Sequence, residues 1–117
     1  MTDRELLELA AKAAGMELDY TIRPDKKAFY HSERNALALV DGGWFAPLTD
    51  DGDALRLAVW LRLEIEFGSN FVNVGTSGKS DSNKEWHLAR EEFGDGPLAA
   101  TRRAIVRAAA EIGRQTP

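Results

Sequence analysis

Leu63-Glu64-Ile65-Glu66-Phe67-Gly68-Ser69-Asn70-Phe71-Val72-Asn73-Val74-Gly75 decides how the rest of the chain is read. Apolar and polar residues alternate through 63–67 and again through 71–75, the period of strands with one face toward a core. Gly68-Ser69-Asn70 between them has the composition of a hairpin loop. Two adjacent antiparallel strands are therefore predicted. This bears on Gly78-Lys79-Ser80 just downstream, which matches the end of the phosphate-binding pattern G-x-x-x-x-G-K-[ST]. The first glycine of that pattern would fall at position 73, where Asn73 stands. Such a loop also leaves a buried parallel strand and enters an apolar helix. Here the strand belongs to a hairpin, and Ser80-Asp81-Ser82-Asn83-Lys84-Glu85 has no apolar face. It is not a nucleotide-hydrolysing loop. Gly75, Ser77, Gly78 and Lys79 stay candidates for contacting an anionic ligand, beside the plainer reading of 76–83 as a solvated loop.

Working outward, residues 84–93 (KEWHLAREEF) are short and halted by Gly94-Asp95-Gly96-Pro97, which favours a strand over a helix. Pro97 suits the first turn of a final helix reaching about Gly113, with Leu98, Ile105, Val106, Ala109 and Ile112 facing inward. Upstream, Thr49-Asp50-Asp51-Gly52-Asp53 opens a helix capped by Thr49 or Asp50. From Ala54 to Leu63 that helix is apolar on most of its circumference. Thr2-Asp3-Arg4-Glu5 is a capping box, and Gly15 stops the helix it starts. Strands are expected over 17–22, 28–32 and 36–40, with turns at Arg23-Pro24-Asp25-Lys26 and Asp41-Gly42-Gly43. Trp44 to Leu48 is expected to run extended. The order predicts an α+β fold, a layered sandwich of an antiparallel sheet with about three helices, in a single domain over 1–117.

With 117 residues, 44% of them apolar and 29% charged, the chain has the composition of a globular domain. It has no cysteine, which removes disulfides and thiolate chemistry. No apolar run reaches the roughly 18 residues of a membrane span, and MTDRELLELA is an acidic amphipathic start rather than a signal peptide. The expectation is an intracellular protein without a membrane partner. A net charge of −4 argues against general nucleic-acid binding, although residues 97–117 are basic, with Arg102, Arg103, Arg107 and Arg114 against Glu111.

Asp50-Asp51-Gly52-Asp53 lacks the length and terminal glutamate of a calcium loop, so helix capping explains its acids and no metal site is assigned. His31 and His87 are the two histidines, and no nucleophile elbow or metal spacing accompanies either. No catalytic residue or cofactor is assigned. Arg102 falls within the apolar face of the last helix. It either pairs with an acid at the rim or holds an anionic ligand. Arg103, Arg107 and Arg114 form a stripe, solvated or facing an anionic partner. Trp60 and Leu57 are candidates for the core or for a homo-oligomer seam.

Trp44-Phe45-Ala46-Pro47-Leu48-Thr49-Asp50-Asp51-Gly52-Asp53-Ala54-Leu55-Arg56-Leu57-Ala58 resembles a signature of small proteins of tailed phages and prophages, the set related to the phage ABA sandwich domain. RELLELAAKAAG near the start and ATRRAIVRAAAEIG near the end are similar to the same group. The resemblance implies an α/β sandwich and an accessory phage protein in the bacterial host cytoplasm, and it carries over no catalytic residue. On that footing the expected role is non-enzymatic binding that counters host defence. The first form is sequestration of a small anionic, nucleotide-like signal by Arg102, the Gly75–Lys79 loop and a stacking aromatic, Trp86 or Trp44. The alternatives are a direct inhibitor or adaptor of a host defence protein, and a small hydrolase using His31 or His87.

Overall fold

Short-range chemistry sets the helix ends. In the computed structural model, which describes residues 1–20, 29–76, 87–94 and 96–117, helix α1 spans Asp3–Ala14. The Glu5 N–H donates to the Thr2 hydroxyl oxygen at 3.2 Å, and the Thr2 N–H donates to the Glu5 carboxylate at 3.2 Å. Both would otherwise be orphan donors of the first turn. Gly15 closes the helix at φ 70°, a left-handed conformation that costs a residue with a Cβ. Helix α2 spans Asp51–Trp60, and Asp50 caps it by accepting from the Asp53 N–H at 2.7 Å. Helix α3 spans Pro97–Gln115.

The strands are β1 (Tyr30–His31), β2 (Ala36–Ala38), β3 (Trp44–Phe45), β4 (Leu63–Phe67), β5 (Phe71–Thr76) and β6 (His87–Glu92). They divide, among the described residues, into two three-stranded antiparallel sheets, β1-β2-β3 and β4-β5-β6, where one sheet was expected. The α+β class with three helices holds. The predicted hairpin forms with Leu63 opposite Thr76 and Phe67 opposite Val72. Residues 87–92 of the ambiguous 84–93 stretch are strand.

Several boundaries differ from the sequence reading. Helix α2 ends at Trp60 rather than Leu63, because Arg62 turns to φ 53° and Leu63 joins the alternating strand β4. Of 17–22, Leu18 makes a single bridge to Leu39, and residues 21 and 22 lie outside the described residues. The turn expected at 23–26 also lies outside them. The extended run from Trp44 stops at Phe45; the Asp50 N–H then donates to the Ala46 carbonyl, closing a turn before α2.

One core joins both sheets to the helices, with Leu37 and Phe45 from the smaller sheet and Val72 and Val74 from the larger. Helices α1 and α3 pack against one another, with Ala10 and Ala11 buried on α1 and Ala110 and Gly113 buried on α3. Small side chains let the helix backbones approach closely. At Gly113 a Cβ would sit inside the van der Waals envelope of the Leu9 carbonyl oxygen. Leu98, expected inward, is instead 68% exposed at the start of α3, a turn before the helix reaches the core.

Candidate functional site

Alternation in the smaller sheet separates a core face from an outer face. Leu37 and Phe45 are neighbours across β2 and β3 and are both buried. Their chain neighbours Ala38 and Trp44, also opposite one another, therefore lie on the outer face. His31 joins Trp44 there, its ring 5.5 Å away and edge-on at 84°. Phe29 completes a triangle, 6.1 Å from Trp44 and 6.5 Å from His31 between ring centroids. Beneath them Ala36 and Ala38 offer only methyl groups. The Arg34 guanidinium carbon lies 5.3 Å over the Trp44 ring, and the Arg34 N–H donates to His31 Nδ1 at 3.2 Å. That bond leaves Nε2 as the position that carries the proton of a neutral His31 ring.

A polar chain fixes this platform to the helices. Tyr30 donates from its hydroxyl to Asn35 Oδ1 at 2.6 Å, and Asn35 Nδ2 donates to Asp3 Oδ2 at 2.9 Å. Asp3 also accepts both terminal nitrogens of Arg103 at 3.1 Å. The hydrogen bond from Arg103 holds the Asp3 carboxyl below the usual carboxylate range; partial burial opposes this, and the Asn35 bond reinforces it. Asn35 adopts φ 50°, a left-handed conformation that asparagine tolerates better than most residues. The turn carrying Arg34 is thus tied to α1 and α3 at its next residue.

The described members of the predicted ligand set, Trp44, Arg102 and Gly75, stand on different elements. Trp44 stands on this platform. Arg102 is occupied elsewhere: its Nε donates to the Leu48 carbonyl at 2.9 Å and a terminal nitrogen to Asp51 Oδ1 at 2.7 Å. It joins α3 to the start of α2, the acid-paired reading. Gly75 is the fifth residue of β5, on the sheet face opposite Val72 and Val74, flanked by Glu64 on β4 and His87 on β6. A register shift beside it leaves Leu88 packed against the core and turns His87 onto Gly75's face. Ser77, Gly78, Lys79 and Trp86 lie outside the described residues.

The arginine stripe is neutralised from within the chain. Arg103 meets Asp3, Arg107 meets Glu91 and the Arg90 carbonyl, and Arg114 meets Glu111. The seam prediction splits. Leu57 is fully buried in the core and is withdrawn from it, whereas Trp60 is 53% exposed. An all-round apolar helix does not reveal which side will be covered, and α2 covers Ala54, Leu57 and Ala58.

A hollow of about 490 Å³ opens at the end of α1, lined by Glu8, Leu9, Lys12, Met16, Leu18 and Tyr20. The Glu8 carboxylate and the negative end of the α1 dipole both disfavour an anion there. The platform presents a cation and three rings, so it fits an anionic planar molecule better. Among the described residues no cluster of three or more His, Asp or Glu could hold a metal ion, and no helix is long and apolar enough to cross a membrane. No family model, curated protein or solved structure matches the chain.

Asn35 and Arg34, which fall between the strands expected over 28–32 and 36–40, carry the platform's polar chemistry. The signal that points to it is Phe29, His31 and Trp44 at alternating positions beside residues expected to be buried.

Proposed function

We propose that this protein acts by binding, and that its ligand is a small anionic molecule with a planar ring, of the nucleotide class. The observation that carries the reading is Arg34 stacked on Trp44, with Phe29 and His31 around the same indole. An exposed cation over an aromatic ring is worth about 0.5–1 kcal/mol. A nucleobase stacked on an aromatic side chain is worth about 1–3 kcal/mol. The ring of the ligand therefore takes the place of Arg34 over the indole. The displaced guanidinium, held by its backbone at the rim, turns to meet the phosphate with its two-pronged geometry. His31 supplies a second donor beside it. If the chain belongs with the accessory phage proteins it resembles, the ligand is a signal of the bacterial host, and holding it in the host cytoplasm blunts a defence response.

Native mass spectrometry of the protein purified from bacterial cells exposed to a nucleotide-rich extract tests this. The expected result is an added nucleotide-sized mass, released on denaturation and absent from Trp44→Ala. An added mass retained in Trp44→Ala would contradict the site.

A second reading, a direct inhibitor or adaptor of a host protein, draws on the larger sheet. Its face away from α3 carries Glu64, Glu66 and Glu92, with Arg90 3.9 Å over the Phe71 ring. Asn73 lies in the middle of that face, 8% exposed, donating to Glu66 at 3.3 Å while its Oδ1 has no hydrogen-bond partner among the described residues. An acidic and aromatic surface of this kind suits a basic protein partner. Recovery of a stoichiometric protein complex that Glu64→Lys and Glu66→Lys abolish would favour it over ligand capture.

A further inference from the structure

Helix α2 covers only part of its circumference. Ala54, Leu57 and Ala58 are buried, while Leu55 and Val59 are 63% and 64% exposed. Asp51, Leu55 and Val59 fall close to one line along the outside, at helical spacings of four residues, and Arg62, just past the helix end, borders Leu55 and Val59 in the same groove. In chain order the four read acid, apolar, apolar, base. Beside it Ala58, Leu63 and Ile65 extend the apolar surface as a shallow groove between α2 and β4. Trp60 belongs to the other flank, about 100° round from Val59, where it borders Met16.

We propose that this line is a self-association surface, and that two copies of the chain pair through α2 in antiparallel orientation about a two-fold axis. Such an axis between Leu55 and Val59 sets Leu55 of one copy against Val59 of the other. It also brings Asp51 of each copy next to Arg62 of its mate. The stripe is complementary to itself only in this orientation, because a parallel pair would set acid on acid and base on base. Antiparallel helix dipoles add to the preference. Asp51 already accepts from Arg102 through Oδ1, but its side chain is 70% exposed, which leaves Oδ2 open to Arg62. Strand addition at the β4 edge is the competing way to use this surface. It would stack Glu64 and Glu66 of one copy against Glu66 and Glu64 of the other, and like charges directly opposite guard an edge against pairing. The seam is short, one ten-residue helix from each copy. The dimer should accordingly form in about the micromolar range rather than below it.

Sedimentation equilibrium of the purified chain over a wide concentration range tests the proposal. The expected result is a monomer–dimer equilibrium. Val59→Glu, at an exposed position with a good helix former, should raise the dissociation constant at least about a hundredfold, since each dimer carries the change twice. Its far-UV circular dichroism should be unchanged. Arg62→Glu and Asp51→Arg should each weaken association alone, and their mixture should associate more tightly than either, because one contact then keeps its native pair and the other is restored with reversed sign. A wild-type chain that is monomeric throughout would overturn the proposal. So would a Val59→Glu variant that still dimerises, a mixture no tighter than its parts, or a chain that stays single while this face binds a different protein.

Discussion

Arg102 shows how one side chain can satisfy two readings of a sequence and be decided by its partners. Its bonds to the Leu48 carbonyl and to Asp51 make it a brace between α3 and the start of α2. Arg102→Ala should lower unfolding free energy by about 1–2 kcal/mol, measured by denaturant titration, and leave ligand affinity unchanged. Arg34 should behave in the opposite way. Its exposed guanidinium rests only on the Trp44 ring, so Arg34→Ala should cost affinity for an anionic ligand and no more than about 0.5–1 kcal/mol of stability. Gly113 is a third kind of residue, chosen for what it lacks. Gly113→Ala drives a methyl group into the Leu9 carbonyl, and because both partners are helix backbone neither yields cheaply. A loss of about 2–3 kcal/mol in denaturant unfolding is expected. None of these three assignments could be settled in the chain alone, because each depends on a residue 10 to 104 positions away that only folding brings near.

Helix caps were legible, the C-terminal end of α2 excepted, and sheet membership was not. Thr2, Gly15, Asp50 and Pro97 act on backbone groups within a few residues, so their chemistry is written locally. The hairpin over 63–76 was legible for the same reason, since its partner strand is three residues away. The smaller sheet pairs strands of two and three residues, too short for alternation to stand out, and its division from the larger sheet rests on pairing that no short window contains. What holds that sheet to the helices is the chain from Tyr30 through Asn35 and Asp3 to Arg103. The Asp3 carboxyl is held below its ordinary value in the folded state. Its contribution is therefore full above the unfolded pKa, near 4, and is lost as pH falls through the lower native value. Asp3→Asn should remove about 1 kcal/mol at neutral pH, discounted for solvent screening, and flatten the acid limb of the stability profile. Thermal melts of both proteins between neutral pH and about pH 2 would show the two curves converging at the acid end.

A single core spans both sheets and all three helices, with Leu37 and Phe45 in contact with the same cluster as Val72, Val74 and Val106. The molecule should consequently unfold in one cooperative step, with tryptophan fluorescence and far-UV circular dichroism giving coincident denaturant curves. A rigid body of this kind suits a protein that presents preformed surfaces: an aromatic and cationic platform on the smaller sheet, an acidic face on the larger one, and an apolar stripe on α2. The platform carries the functional reading. Calorimetric titration with purine and pyrimidine nucleotides, and with the matching phosphate-free nucleosides, tests it most directly in the wild type and in Trp44→Ala. The account predicts measurable nucleotide binding, weaker binding of the nucleoside, and a loss of about tenfold or more in Trp44→Ala. Absence of binding across the nucleotides, or an affinity that Trp44→Ala leaves unchanged, would contradict it.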